Sequence, residues 1–196
     1  MIVVKIGGSL YNTAELKHWL TALADYSTQF PIVIVPGGGP FADQVRAAQK
    51  THHFNDTTAH HMAILAMKQY GLLLSALEPL CQPSRTSEIS SSAFSVWLPD
   101  DELLTEPSLT KNWDISSDSI ALWLASKLGA EQLLLIKRAP NQIQSITELS
   151  SNAIIDSGFS GLFSNNPINT KIVNYQNYSK LPQILSCQNE SSLFLP

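Results

Sequence analysis

The sequence predicts an α/β fold in which a mainly parallel β-sheet is covered on both faces by helices. Short apolar runs rich in valine, isoleucine and leucine alternate with longer segments whose apolar residues recur at helical spacing. Strands that are apolar on both faces are typical of parallel sheets buried between two helical layers. Two of these runs lead directly into glycine loops, and a helix is expected after each loop.

Length and composition limit the class of protein. A chain of 196 residues with 44% hydrophobic residues is expected to form one domain over residues 1–196. The net charge of −4, without any lysine or arginine run, argues against a nucleic-acid partner. No apolar stretch reaches the ~18 residues of a membrane span, so no membrane partner is expected. Cys81 and Cys187 are expected to be reduced thiols in a cytoplasmic protein without a signal peptide.

The first strand carries a lysine and leads into a glycine loop. Residues Ile2 to Ile6 are apolar except for Lys5, a pattern that predicts a short strand. The loop after this strand consists of Gly7, Gly8 and Ser9. A helix is expected from about Thr13 to Tyr26, because apolar residues recur there at helical spacing.

The second strand repeats this design. Four consecutive β-branched residues, Ile32 to Val35, predict a strand buried on both faces, and Pro36 ends it. The triple glycine that follows is expected to free the backbone for positive φ angles. It consists of Gly37, Gly38 and Gly39. Pro40 is typical of a helix start, and a helix is expected to continue to Lys50.

The two glycine loops are the strongest functional signal in the chain. Five of the nine glycines lie in them. A glycine loop between a strand and a helix turns backbone N–H groups towards one point, which favours binding of a phosphate. Neither loop matches the P-loop or the dinucleotide-binding spacing, so those two classes are disfavoured.

The middle of the chain is expected to contain one long helix and one short strand. The residues Asp56, Thr57 and Thr58 are expected to cap a helix that ends near Pro79. Residues 82–92 lack periodicity and are expected to form a loop, and residues 100–113 are expected to be irregular. A strand is expected from Phe94 to Leu98.

Further elements follow in alternation. Ser116 to Ser119 predicts a helix start, and Gly129 is expected to end that helix in the C′ position. Leu133 to Ile136 predicts a buried strand with Lys137 at its carboxyl end. The remaining predictions are a short helix capped by Asp156 and Ser157 that ends near Asn165, a strand at 171–173, a weak helix at 178–186 and a last strand at 192–195.

The carboxyl ends of parallel strands meet at one edge of a sheet, where ligands bind in such folds. Lys5, Lys137 and the 37–39 loop are therefore expected to lie near one another. Positive charge beside phosphate-binding loops suits phosphoryl transfer, which depends on positioning and on neutralising the transferred group. Asp118 is expected either to orient the two lysines, to face the magnesium of ATP, or to serve only as a helix-terminal charge.

The histidines do not predict a metal site. The adjacent pairs His52/His53 and His60/His61 have no carboxylate or cysteine partner at metal-ligand spacing, so no protein-bound metal is expected. His60 is a candidate substrate contact. Trp113 is a residue type found more often in a core than at a binding site.

Three motifs resemble the amino acid kinase superfamily, which includes acetylglutamate, aspartate, carbamate and uridylate kinases. They are Lys5 to Ser9 (KIGGS), Pro36 to Gly39 (PGGG) and Ser117 to Ser119 (SDS) at a helix start. The resemblance implies a three-layer αβα sandwich that uses ATP with Mg²⁺. It also extends over residues 156–174, which resemble a segment of the uridylate kinases.

The chain resembles most closely a branch of short kinases that act on an aminomethylfuran-methyl phosphate in methanofuran biosynthesis. Residues 36–46, 59–67 and 113–119 carry this likeness. It implies that the two glycine loops hold phosphates, that Lys5 and Lys137 neutralise the transferred group, and that Asp118 organises them. The acceptor-side candidates that it implies are Arg46, His60, Trp113 and Ser117. A homodimer through the helix of residues 59–79 is also expected.

Three alternatives stay open at this point. A carboxylate kinase of the acetylglutamate type, in which Arg46 grips a carboxylate, or a uridylate kinase would have the same motifs. Residues 137–141 (KRAPN) replace the Thr-Asp-Val-x-Gly that is common in the superfamily, which would suit a kinase-like fold that only binds a metabolite.

Overall fold

A computed structural model describes residues 1–89, 94–138, 146–152 and 154–186. Its sheet has six strands in the order β3-β4-β2-β1-β5-β6, and every neighbouring pair is parallel. The strands are β1 (Ile2–Ile6), β2 (Ile32–Pro36), β3 (Gln82–Ser84), β4 (Phe94–Trp97), β5 (Gln132–Lys137) and β6 (Asn169–Asn174). The prediction of a parallel αβα sandwich is confirmed.

Helices lie on both faces of the sheet. They are α1 (Glu15–Ser27), α2 (Gly39–His52), α3 (Asp56–Leu77), α4 (Asp101–Thr105), α5 (Ser117–Lys127), α6 (Ile146–Ser151), α7 (Phe159–Asn165) and α8 (Leu181–Ser186). Short 3-10 turns cover Gly8–Leu10, Thr86–Glu88 and Tyr175–Lys180. Within the described ranges, no helix is both long and apolar enough to cross a membrane.

The alternation of side chains along β1 divides the core into two layers. Ile2, Val4 and Ile6 face α1 and α8 in one hydrophobic cluster. Val3 packs with α5 and α7 in the second cluster. Because side chains along a strand alternate between faces, Lys5 lies on the same side as Val3 and therefore beneath α5.

Several boundaries differ from the sequence predictions. Residues Gln82–Ser84 form an edge strand rather than a loop, where Pro83 is tolerated because an edge strand leaves one row of backbone groups unpaired. Residues Asp101–Thr105 form a short helix capped by Asp100 rather than irregular structure. The N-cap of α3 is Asn55, whose side chain accepts from Thr58 N, one residue before the predicted cap.

The predicted end of α5 is confirmed. Gly129 has φ +61° in the C′ position, and its N–H donates to Ser126 O at 3.1 Å. The N–H of Ala130 donates to Ala125 O at 2.9 Å, which completes a Schellman motif. The predicted last strand at 192–195, Cys187 and residues 139–141 lie outside the described residues.

Candidate active site

The register of the sheet brings the two glycine loops together. Lys5 of β1 pairs with Val35 of β2 and with Leu135 of β5. The three strands therefore end at one level, and the loops after β1 and β2 leave the sheet side by side. Lys137, the last residue of β5, lies two register positions beyond Lys5 along the same edge.

The loops pack so closely that two positions admit only glycine. A Cβ atom on Gly8 would lie 2.4 Å from Gly39 N, and one on Gly37 would lie 2.5 Å from Gly8 N. Both contacts are with backbone, which cannot move aside as a flexible side chain can. The loops form one unit, because a side chain on either would push the other away.

The prediction that the triple glycine frees the backbone for positive φ holds at one of its residues only. Gly39 has φ +54°, whereas Gly38 has φ −79° in the right-handed helical region. Position 38 favours glycine for a steric reason instead, since a Cβ there would lie 2.3 Å from Ala42 Cβ. The helix α2 begins at Gly39, one residue before Pro40.

A buried ionic cluster lies beside the loops. Lys5 Nζ is 2.8 Å from Asp118 Oδ1, and Lys137 Nζ contacts Asp118 Oδ2. Asp118 is 1% exposed and Lys5 is 4% exposed. Lys137 also donates to the backbone carbonyl of Ile154. The first turn of α5 therefore presents Asp118 to both lysines.

Burial and mutual attraction shift the pKa values in this cluster. Burial lowers the pKa of Lys5 to about 8, although the Asp118 carboxylate opposes this shift. Burial alone would raise the pKa of Asp118, but the attraction of Lys5 and Lys137 outweighs it and holds that pKa below its ordinary value. The Asp118 carboxylate stays ionised near neutral pH, and Lys5 titrates close to the physiological range.

The carboxylate of Asp156 caps α5, not the helix that follows it in sequence. Its Oδ2 accepts from Ser116 N at 2.9 Å, Ser116 Oγ at 2.7 Å and Ser119 N at 3.1 Å. Its Oδ1 accepts from Ser119 Oγ. The prediction that Asp156 caps the helix ending at Asn165 is wrong, because Gly158 is the N-cap of α7 and no side chain caps it.

A cavity of about 310 Å³ opens next to the loops. Its wall includes the predicted residues Gly8, Ser9, Gly38, Gly39, Arg46, His60, Trp113 and Ser117. The wall does not include the predicted residues Lys5, Gly7, Gly37, Asp118 and Lys137. The sequence interpretation missed the apolar part of the wall, which consists of Ala42, Ala63, Ile64, Met67, Ile115 and Ile120.

The polar end of the cavity is ordered by contacts among its own residues. Arg46 Cζ lies 4.3 Å from the centre of the Trp113 ring, and Arg46 Nη1 donates to Asp43 Oδ1 at 3.0 Å. Trp113 Nε1 donates to Gln49 Oε1 at 2.7 Å. Asp43 also lines the cavity, and its position three residues before Arg46 on a helix was the signal available in the sequence.

His60 is a buried polar residue of the cavity wall. It is 5% exposed, and its Nε2 atom has no hydrogen-bond partner. Burial lowers the pKa of the imidazole, although a hydrogen bond with the backbone of Asn112 acts in the opposite direction. The ring is therefore neutral near pH 7, and Nε2 is a buried, unpaired polar atom of a residue that lines the cavity.

The residues fit a nucleotide phosphate better than a directly coordinated metal ion. The paired loops and the two lysines offer backbone N–H groups and positive charge to anionic oxygens. Across the described ranges, no group of three or more histidine, cysteine, aspartate or glutamate residues could hold a metal ion. Asp118, the carboxylate of the buried cluster, is already paired with two ammonium groups.

Comparison with known proteins identifies the family to which this chain is similar. Residues 1–141 match the model of the amino acid kinase family. The chain is 33% identical over 143 residues to the [5-(aminomethyl)furan-3-yl]methyl phosphate kinase of Methanocaldococcus jannaschii. That alignment covers 69% of this chain and 64% of the relative, so the chain matches less than two thirds of the relative's length.

Solved structures show the same fold at low sequence identity. The uridylate kinase of Archaeoglobus fulgidus superposes with a TM-score of 0.72 at 17% identity, over 93% of this chain and 95% of that one. An aspartate kinase from Synechocystis gives a TM-score of 0.70 at 14% identity, over 89% of this chain and 38% of that one. At these identities, the likeness concerns the fold alone.

Proposed function

Because this chain belongs to the amino acid kinase family, we propose that it is an ATP-dependent phosphotransferase whose acceptor is a small-molecule phosphate monoester. The observation that carries the proposal is the buried cluster of Lys5, Asp118 and Lys137 beside two interlocked glycine loops. Two ammonium groups share one directly paired carboxylate, so part of their positive charge is left for an anion. Such a cluster is suited to a dense anion and is costly to bury without one.

Each part of the site has a role in this reaction. The loops around Gly8 and Gly39 hold phosphate oxygens through backbone N–H groups. Lys5 and Lys137 neutralise the charge of the transferred phosphoryl group, and Asp118 fixes the spacing of the two lysines. ATP brings Mg²⁺ bound to its phosphates, because Mg²⁺ at such sites is held mostly by phosphates and water. No protein metal ligand is assigned.

We propose that the acceptor is [5-(aminomethyl)furan-3-yl]methyl phosphate, the compound in the name of the Methanocaldococcus jannaschii relative. The cavity suits a small phosphorylated ring compound, because its wall combines apolar side chains with the glycine loops and the Arg46–Trp113 pair. In this arrangement Arg46, His60, Trp113 and Ser117 contact the acceptor. The product is the diphosphate.

The decisive experiment offers the purified protein ATP, Mg²⁺ and one acceptor at a time. The acceptors are the furan monophosphate, UMP and N-acetylglutamate, and the product is followed by ³¹P NMR. A new pair of coupled diphosphate signals with the furan compound alone is the expected result. Turnover with UMP or formation of an acyl phosphate would replace the proposed acceptor with the uridylate or the carboxylate alternative.

A protein that binds these compounds without turnover would contradict the proposed activity. The same samples are therefore titrated by calorimetry with ATP and with the furan monophosphate. Binding of either ligand at millimolar affinity or better, without phosphoryl transfer to any acceptor, would favour the metabolite-binding alternative.

A further inference from the structure

We propose that Asp156 is a positioning residue of the phosphoryl-transfer site, whose carboxylate holds the first turn of α5 and so fixes Asp118 between the two lysines. This inference rests on the proposed function for its catalytic consequence. Asp156 itself lies outside the wall of the cavity, so it acts through other groups.

The contacts of Asp156 are concentrated on the turn that carries Asp118. Its carboxylate accepts four hydrogen bonds, all from the backbone or hydroxyl groups of Ser116 and Ser119. These two residues lie on either side of Asp118 at the first turn of α5. The first turn of a helix has unpaired N–H groups, and here a residue 40 positions after Ser116 satisfies two of them, those of Ser116 and Ser119.

The same short segment also holds a lysine of the cluster. The backbone carbonyl of Ile154, two residues before Asp156, accepts from Lys137 Nζ. Residues 154–156 therefore contact both the helix that presents Asp118 and the lysine that pairs with it. A shift of this segment would move Asp118 and Lys137 together.

The charge of Asp156 has a second effect on the cluster. The charged groups that influence Lys5 are Asp118 of α5, Lys137 of β5 and Asp156, and the two carboxylates raise the pKa of Lys5 while Lys137 lowers it. Asp156 therefore helps to keep Lys5 protonated near neutral pH. A purely structural cap elsewhere in the protein would have no such effect on Lys5.

Two substitutions separate the two effects. Asp156→Asn keeps an acceptor oxygen for the helix but removes the charge, so the pKa of Lys5 is expected to fall by about 0.5 unit. Asp156→Ala removes the cap as well, so kcat is expected to fall about 10-fold or more with KM for the acceptor little changed. The pKa of Lys5 is measured by NMR of ¹³Cε-labelled lysine and kcat by steady-state assay.

The matched control is Asp100, which caps α4 away from the site by accepting from Glu102 N. Asp100→Ala loses a helix cap in the same way, and it is expected to leave kcat and the Lys5 titration unchanged. A folded Asp156→Ala variant with the kcat of the wild type would overturn the proposal. Where Asp156→Ala does not fold, a Lys5 titration and a kcat that are both unchanged in Asp156→Asn would overturn it. The NMR readout needs no turnover, so it tests the inference separately from the proposed activity.

Discussion

At the scale of single residues, the position of Lys5 is unusual in its energetics. The second-last position of a buried central strand is ordinarily occupied by an apolar residue, because burial of an ammonium group is costly. Here the side chain is 4% exposed and has Asp118 at 2.8 Å. The arrangement gives up stability and gains a fixed positive charge next to the loops.

Removal of that charge should affect turnover far more than folding. Lys5→Met keeps a side chain of similar length without the ammonium group, and Asp118 retains Lys137 as its partner. We expect kcat to fall by ~10²-fold or more, as for loss of a transition-state charge contact. Circular dichroism is the control for folding, and wild-type turnover in the folded variant would exclude Lys5 from the mechanism.

The pH dependence of the reaction should also report Lys5. Its pKa of about 8 means that the ammonium form predominates below pH 8 and is lost as the pH rises through that value. We expect kcat/KM, which reflects the free enzyme, to fall on the alkaline side with a midpoint near pH 8. In Lys5→Arg any residual activity should show no such decline, because arginine stays charged.

Lys137 is expected to act mainly in the transition state. It contacts Asp118 and Ile154 O from the end of β5, with 16% of its side chain exposed. Lys137→Ala should lower kcat more than it weakens ATP binding. Lys137→Arg should restore little of the lost kcat, because a planar guanidinium does not replace a compact ammonium group. The comparison uses steady-state kinetics and calorimetry. A kcat equal to wild type would assign Lys137 a structural role.

At the scale of elements, the loops after β1 and β2 act as one binding element. Neither loop tolerates a side chain at its contact with the other. A Cβ atom on Gly8 would clash with the backbone of Gly39, and one on Gly37 would clash with the backbone of Gly8. Glycine is needed at positions 8 and 37 because a Cβ would clash there, and at position 39 because the backbone has a positive φ angle. A sequence comparison of the two loops separately would not reveal that each restricts the other.

A single methyl group should therefore disrupt phosphate binding. Gly8→Ala places a Cβ atom 2.4 Å from Gly39 N, so the loops must separate, and we expect affinity for ATP to fall at least about 10-fold in calorimetric titration. The matched control is Gly161→Ala on α7, where a Cβ meets nothing within 4 Å. That control should bind normally and gain about 0.5–1 kcal/mol in stability. Normal affinity in Gly8→Ala would mean that the loops only turn the chain.

At the scale of the whole molecule, α3 exposes an apolar surface. Leu65 and Leu72, two turns apart on this helix, are 58% and 51% exposed. Exposed leucines in line on a long helix are more typical of an interface than of a free surface. We propose that two copies of the chain pair through α3.

Charge on this surface should prevent the pairing. Leu65→Glu would bury an unpaired carboxylate in the interface, so we expect the molar mass measured by light scattering to fall from that of a dimer to that of a monomer. Thr21→Glu, at an exposed position of α1, is the control and should leave the mass unchanged. A monomeric wild type at micromolar concentration would contradict the proposed dimer.

The sequence by itself determined five of the six strands in the described structure, the longer helices and the position of the two lysines at the sheet edge. Buried parallel strands are continuous apolar runs, so β1, β2 and β5 were evident from a few residues each. The rule that parallel strands end at one edge then placed Lys5 and Lys137 near the glycine loops. Each of these inferences depends on interactions within a short segment or on a general property of parallel sheets.

Only the tertiary structure decided which distant groups are partners. Asp156 caps α5 rather than α7, and the backbone carbonyl of Ile154 accepts a hydrogen bond from Lys137. The sequence around residues 154–156 predicts neither contact. The edge strand β3 and the backbone angle of Gly38 were also set by neighbours rather than by local preference. The physical reason is that propensities act over a few residues, whereas hydrogen bonds across 40 positions form only after packing has brought their donors and acceptors together.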